Sequence, residues 1–203
     1  LNKHYNIITI EEVIHSIESQ SKLPNKSVLL TFDDAYADHF YNVFPILNEL
    51  KIQGSFYVPS KVIKENIVFD VNKIHFILAS IKNKFELIDQ LKNFLFIYKE
   101  EYNLEDFDYY FQKLANASQF DSKEIIFIKR LLQFELDEEL RSKIINKLFE
   151  KYVTINEDNF SRELYMNEDQ LKYMLSKGQH IGNHGHNHYW WNKLSIEKMT
   201  LEL

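Results

Sequence analysis

Cysteine is absent from all 203 residues, which excludes disulfides and thiolate ligands and leaves histidine and carboxylate as the groups that could hold a metal. No run of roughly 18 apolar residues is free of charge, so a membrane-spanning helix is excluded on length grounds. No Lys/Arg cluster forms a stripe that could hold phosphates, and 24 basic against 30 acidic residues leave a net charge of -6, so nucleic acid is not an expected partner. There is no repeat or low-complexity tract, and no signal peptide is recognised within the given residues; position 1 is Leu rather than Met, so an export signal could have preceded it, and the compartment stays open between cytoplasm and cell envelope. What is present is a chain with 45% hydrophobic positions, enough to bury a core as one domain or as one domain carrying a large insertion.

Order along the chain suggests an α/β protein. Tyr5 to Ile8 reads as a short extended piece, followed by a helix in which Thr9 and Glu12 have capping-box spacing and Ile10, Val13, Ile14 and Ile17 share one face. Leu23-Pro24-Asn25-Lys26 is a turn, and Ser27 to Phe32 favours a strand. Tyr36 to Leu50 has the helical period, interrupted by Pro45; Gly54 is placed to stop it, and Ser55 to Val58 is rich in strand formers. Strand, helix and strand within about 35 residues predict a parallel βαβ unit.

From residue 61 to 165 amphipathic helical periods replace the strand signals. Leu87, Ile88, Leu91, Phe94, Leu95 and Tyr98 form one stripe, and Leu140, Ile144, Ile145, Leu148, Phe149 and Tyr152 another. Asp137 is placed to cap the second, and Glu139 to Lys143 has the spacing of an i,i+4 ion pair. The expected organisation is residues 1–60 as the first part of a βα domain, 61–165 as a helical insertion, and 166–203 as the continuation. In that last part Asn167 can cap a helix, Gly178 suits its left-handed end, Gln179 to Gly182 reads as a strand, and Ser195 can cap one more helix. A closed eight-stranded barrel takes about 250 residues, so a barrel built from this chain would be partial.

Two stretches carry chemistry. Asp33-Asp34 ends the first apolar run, and His184-Gly185-His186-Asn187-His188 follows the last strand. Adjacent aspartates after a strand also suit a plain turn or helix cap. His184 and His188 could face one metal across a helical turn, whereas an extended segment would put 184, 186 and 188 on one face, so spacing leaves His186 open. Two imidazoles and a carboxylate would leave an open coordination position for water, and a second carboxylate nearby could accept a proton. Both stretches follow predicted strands, whose carboxyl ends are where α/β folds gather ligands.

Leu23-Pro24 through Thr31-Phe32-Asp33-Asp34, Pro45-Ile46-Leu47 and Gly54-Ser55-Phe56-Tyr57-Val58 together resemble the first part of a polysaccharide deacetylase of the NodB-homology group. Gly178 to His188, with Ile181-Gly182-Asn183-His184 and His188, is similar to that family's second motif. The resemblance implies a partial (β/α) barrel of the deacetylase type with a large α-helical insertion, Asp34, His184 and His188 as metal ligands, Asp33 as general base, and zinc as the divalent metal. It implies hydrolysis of N-acetyl groups on a sugar or glycan. Trp190 and Trp191, beside the histidines, are candidates for contact with the sugar ring.

The chain departs from the pattern at two positions: Ala35 stands where glycine usually follows the aspartates, and Gly185 where a hydroxyl residue usually follows the first histidine. The family's later motifs, which supply an orienting arginine, an oxyanion donor and a general-acid histidine, have no counterpart before Leu203. The chain is therefore expected to bind a divalent metal and to deacetylate poorly or not at all as it stands.

Competing readings are a two-histidine motif, His184-Gly185-His186, of another metal-dependent barrel hydrolase, and a non-catalytic glycan-binding or assembly module. His75 reads as a satisfied interior or interfacial histidine, while His4, His15, His39 and His180 have no promoting partner in sequence. Strand edges left by a partial barrel make oligomerisation an expectation.

Overall fold

The structure is a computed structural model that describes residues 3–189, 191 and 194–203. Residues 1–67 with 158–203 form one compact unit and residues 68–157 a second. The chain begins with β1 (Asn6–Ile7) and α1 (Ile10–Ser19). The capping box forms: Glu12 N–H donates to Thr9 Oγ1 at 3.2 Å and Thr9 N–H to Glu12 Oε2 at 2.7 Å. The apolar face of α1 is left largely uncovered, with Ile17 72% exposed.

The single strand expected over Ser27 to Phe32 is two strands, β2 (Ser27–Val28) and β3 (Thr31–Asp33). β2 pairs in parallel with β1, whereas β3 pairs in parallel with β4 (Ser55–Val58). Between them the Leu30 carbonyl already accepts the Ser55 N–H at 2.9 Å, so the run changes partner along its length. An apolar run suits either sheet, and the choice belongs to pairing, not to local propensity.

The helix expected over Tyr36 to Leu50 is also divided, into a π-helical turn at His39–Val43 and α2 (Phe44–Leu50). Pro45 would clash with the carbonyl four residues before it, and the widened turn, in which Phe44 N–H reaches the His39 carbonyl, absorbs that conflict. Lys51, at φ 54°, ends α2 in the left-handed conformation. Gly54 is needed for space instead: a Cβ there would lie 2.8 Å from Leu47 Cδ1 and 2.9 Å from Phe56 Cε2. α3 (Ser60–Glu65) follows β4.

The second unit is helical among its described residues: α4 (Asp70–Ser80), α5 (Lys84–Ile97), α6 (Phe107–Leu114), α7 (Lys123–Arg130), a π-helical turn at Leu131–Glu135, and α8 (Glu138–Tyr152). Leu87, Leu91, Leu140, Ile144 and Ile145 of the two stripes are fully buried. Asp137 caps α8 by accepting from the Glu139 N–H. The expected Glu139 to Lys143 pair does not form. Glu139 accepts from the Tyr102 hydroxyl at 3.4 Å, and Lys143 Nζ lies 4.5 Å from the Tyr98 ring centroid and 3.6 Å from Glu101. An exposed i,i+4 pair is worth only about 0.3–0.5 kcal/mol, which an aromatic face can outbid. His75 is exposed, not interior; the polar residues that α4 buries are Asn72 and Lys73, with Lys73 Nζ 2.8 Å from Glu157 Oε1 and 2.6 Å from Asn146 Oδ1.

The chain then returns to the first unit through α9 (Glu157–Leu164), α10 (Glu168–Ser176), β5 (His180–Asn183) and α11 (Ile196–Glu202). Asn167 and Gln170 form a second capping box, and Gly178 takes φ +83° after α10. β5 joins β4 in parallel, giving a three-stranded sheet of order β3-β4-β5. The buried Gln179 side chain ties this return to the turn before β4: its Oε1 accepts from Gly54 N–H at 2.8 Å and its Nε2 donates to the Ile52 carbonyl at 3.1 Å.

Behind the sheet, Phe44, Leu47, Phe56, Val58, Met166 and Met174 form the buried core. Phe56, on the central strand, has no exposed surface and stacks on Phe32 at 4.7 Å. Phe56→Ala is expected to lower unfolding stability by about 3–5 kcal/mol in a urea titration. A loss below about 1 kcal/mol would mean that this core is not organised around β4.

Candidate metal centre

In the β3-β4-β5 sheet Asp33 is in register with Tyr57, Tyr57 with Gly182, and Val58 with Asn183. Because all three strands run the same way, Asp34 and His184 leave the same edge on either side of β4. His184 N–H donates to the Val58 carbonyl at 3.1 Å, which fastens the second stretch to the central strand.

Immediately after β3 the chain turns through two left-handed residues, Asp34 at φ 72° and Ala35 at φ 57°. Each is a conformation that a side chain disfavours by roughly 1–2 kcal/mol. Neighbouring groups hold it: Met166 N–H donates to the Ala35 carbonyl at 2.7 Å, Tyr36 bridges to Tyr165, and Ala35 is 1% exposed. Alanine thus keeps the turn, with its methyl group buried in the core as partial compensation.

This turn aims the Asp34 carboxylate at the histidines. Its Oδ1 lies 3.4 Å from His184 Nε2 and 3.2 Å from His188 Nε2, and one ligand atom from each residue falls within 4.8 Å of the others. The two imidazoles meet at 4.9 Å between centroids, inclined by 66°. Asp34 Oδ1 is shut off from solvent with no hydrogen-bond donor in proper geometry. The contact with His188 holds the Asp34 carboxyl below the ordinary carboxylate range, against the opposing effect of burial. A buried anionic oxygen without a donor, faced by two imidazole nitrogens, is a donor set that fits a divalent cation.

Residues 184–188 form neither a helical turn nor an extended strand. Gly185 at φ +79° and His188 at φ 59° bend the segment so that 184 and 188 converge and 186 turns away. His186 Nδ1 is 2.8 Å from Ser60 Oγ, and its Nε2 is 3.9 Å from Glu65 Oε1. This placement disfavours a site built on His184 and His186 together. Ser60 N–H donates to the Gly185 carbonyl and Lys61 N–H to that of His186, so the start of α3 braces the loop.

Asp33 is exposed at the end of β3, outside the three-residue cluster. Trp191 is 42% exposed, and its indole Nε1 is 3.8 Å from where a Cβ on Gly185 would lie; Trp190 lies outside the described residues. His39 packs edge-on against Phe32 at 5.6 Å and Tyr36 at 5.7 Å, and burial pushes its pKa down. It belongs to the wall beneath the aspartates, a position that no local pattern announces.

Spacing gives no hint of Glu202 either. This carboxylate is 3% exposed and accepts from the N–H groups of His186 at 3.0 Å and Asn187 at 2.8 Å, and from Asn187 Nδ2 at 2.7 Å.

Residues 20–93 match the polysaccharide deacetylase family, a stretch that includes both aspartates and all of β4 but stops short of the histidines. Among solved structures, the chain is similar to the deacetylase domain of BpsB from Bordetella bronchiseptica, at 32% identity over 31% of this chain and 24% of that one, with a TM-score of 0.29. The match thus spans about a quarter of that chain. Comparison with the curated proteins finds no match.

Proposed function

We propose that this chain is a metal-dependent amidohydrolase of the polysaccharide deacetylase type, removing N-acetyl groups from a sugar or surface glycan. The observation that carries the reading is the convergence of Asp34, His184 and His188, with a buried Asp34 oxygen that lacks a donor, at the carboxyl edge of a parallel sheet. The family match over residues 20–93 supports the class of substrate.

In this reading Asp34, His184 and His188 hold the divalent ion, zinc being favoured by two imidazoles with one carboxylate. When bound, such an ion polarises a carbonyl oxygen and lowers the pKa of water to about 7. Asp33, exposed one residue earlier, takes the proton of the attacking water. The new C–O bond forms at the amide carbon, the C–N bond breaks and the leaving nitrogen takes up a proton from solvent, giving acetate and a free amine. Of the two tryptophans nominated for contact with the sugar ring, the exposed Trp191 offers an aromatic face, and Trp190 lies outside the described residues. The parallel strands fit a partial (β/α) barrel, and the compact helical unit at 68–157 fits an insertion within it.

The test is acetate release from N-acetylated sugar oligomers by the zinc-loaded 203-residue chain and by a chain extended past Leu203, each with and without a chelator. Release from the extended chain should stop on chelation and return with zinc. Release indifferent to chelation would sink the metal dependence; no release from either would favour a glycan-binding module.

A further inference from the structure

We infer that Glu202 is a positioning residue that sets the geometry of the metal-binding loop from outside it. The inference rests on the metal reading of Asp34, His184 and His188. Glu202 Oε2 accepts two successive backbone donors, His186 N–H and Asn187 N–H, while Oε1 accepts the Asn187 side-chain amide. These are the residues between the two converging histidines, so the carboxylate grips the middle of the segment whose ends must meet.

Among the described residues no cation pairs with Glu202, and its burial is offset by the three donors. Lys61 acts at one remove, donating to Asn187 Oδ1 at 2.9 Å. Gly185 lets the carboxylate in, because a Cβ there would lie 3.1 Å from Glu202 Oε2 as well as at φ +79°. The Asn183 side chain locks the approach from the other side: its Oδ1 accepts from Gly185 N–H at 2.9 Å, and its Nδ2 donates to the Leu203 carbonyl at 3.2 Å. Gly185 is thus part of this arrangement. His188, at φ 59°, is held in an uncommon backbone conformation that an unbraced loop would leave.

Cobalt(II) is a suitable probe, because its visible absorption reports ligand geometry as well as occupancy. Glu202→Ala should weaken cobalt binding by about 10- to 100-fold, the usual effect of removing an outer partner of a metal site. Glu202→Gln should also weaken it, since the new amide nitrogen would oppose the Asn187 amide. Combining Glu202→Gln with Asn187→Asp restores donor against acceptor and should recover affinity and spectrum, which a loss due to general instability would not. Binding by Glu202→Ala within about twofold of the unsubstituted chain, or failure of the double variant to recover while remaining folded by circular dichroism, would overturn the inference. If the unsubstituted chain takes up no cobalt, the metal reading itself fails. The grip is then decided in the metal-free protein by amide hydrogen exchange at His186 and Asn187, where acceleration in Glu202→Ala supports it and unchanged rates overturn it.

Discussion

Asp34→Asn, His184→Ala and His188→Ala should each abolish stoichiometric zinc binding, measured by elemental analysis after dialysis, whereas His186→Ala should leave about one zinc per chain. The contrast follows from geometry. Asp34 Oδ1 lies between the two imidazole nitrogens at 3.4 Å and 3.2 Å, so the Asn variant keeps the shape but removes the charge that faces the cation. Either alanine change leaves two ligands where three converge. His186 turns to Ser60 and Glu65, and losing its ring removes a brace from the loop without removing a ligand. Equal loss in all four variants would show that the loop, not the ligand set, controls binding.

Asp33→Asn should retain zinc and lower acetate release by about 10²- to 10⁴-fold, the range for removing a general base. Asp33 and Asp34 are adjacent but differ in setting: Asp34 is turned inward by its φ of 72°, while Asp33 stays exposed on the last position of β3. An exposed aspartate with no part in the core can be replaced by its amide with little change in unfolding stability, so the rate loss can be read as chemistry. A variant retaining the rate within about threefold would remove Asp33 from the reaction, and one that also lost zinc would place it on the metal.

Features specified by residues three or four apart were legible in the chain. The capping box of Thr9 with Glu12 forms as its spacing predicts, Asn167 caps its helix as expected, and the stripes through Leu87 and Leu140 are buried. Expectations failed where a choice among partners had to be made. The run from Ser27 divided because β1 and β4 each claimed part of it, and Lys143 preferred Tyr98 and Glu101 to the nearby Glu139. The π-helical turn before α2 reconciles a proline with a helix whose period alone looks continuous.

The metal centre divides along the same line. Residue identities and order suffice to nominate two aspartates after one strand and histidines four apart after another, because the chemistry of a ligand is local to its side chain. Folding makes the selection among them. Parallel pairing through β4 brings two stretches about 150 residues apart to one sheet edge, left-handed turns at Asp34 and Gly185 point the ligands inward, and His186 is taken by Ser60. Glu202 marks the limit of reading along the chain. Its donors lie 15 and 16 residues away, and a carboxylate's acceptor geometry has no sequence period, so its role exists only once α11 has packed against the loop.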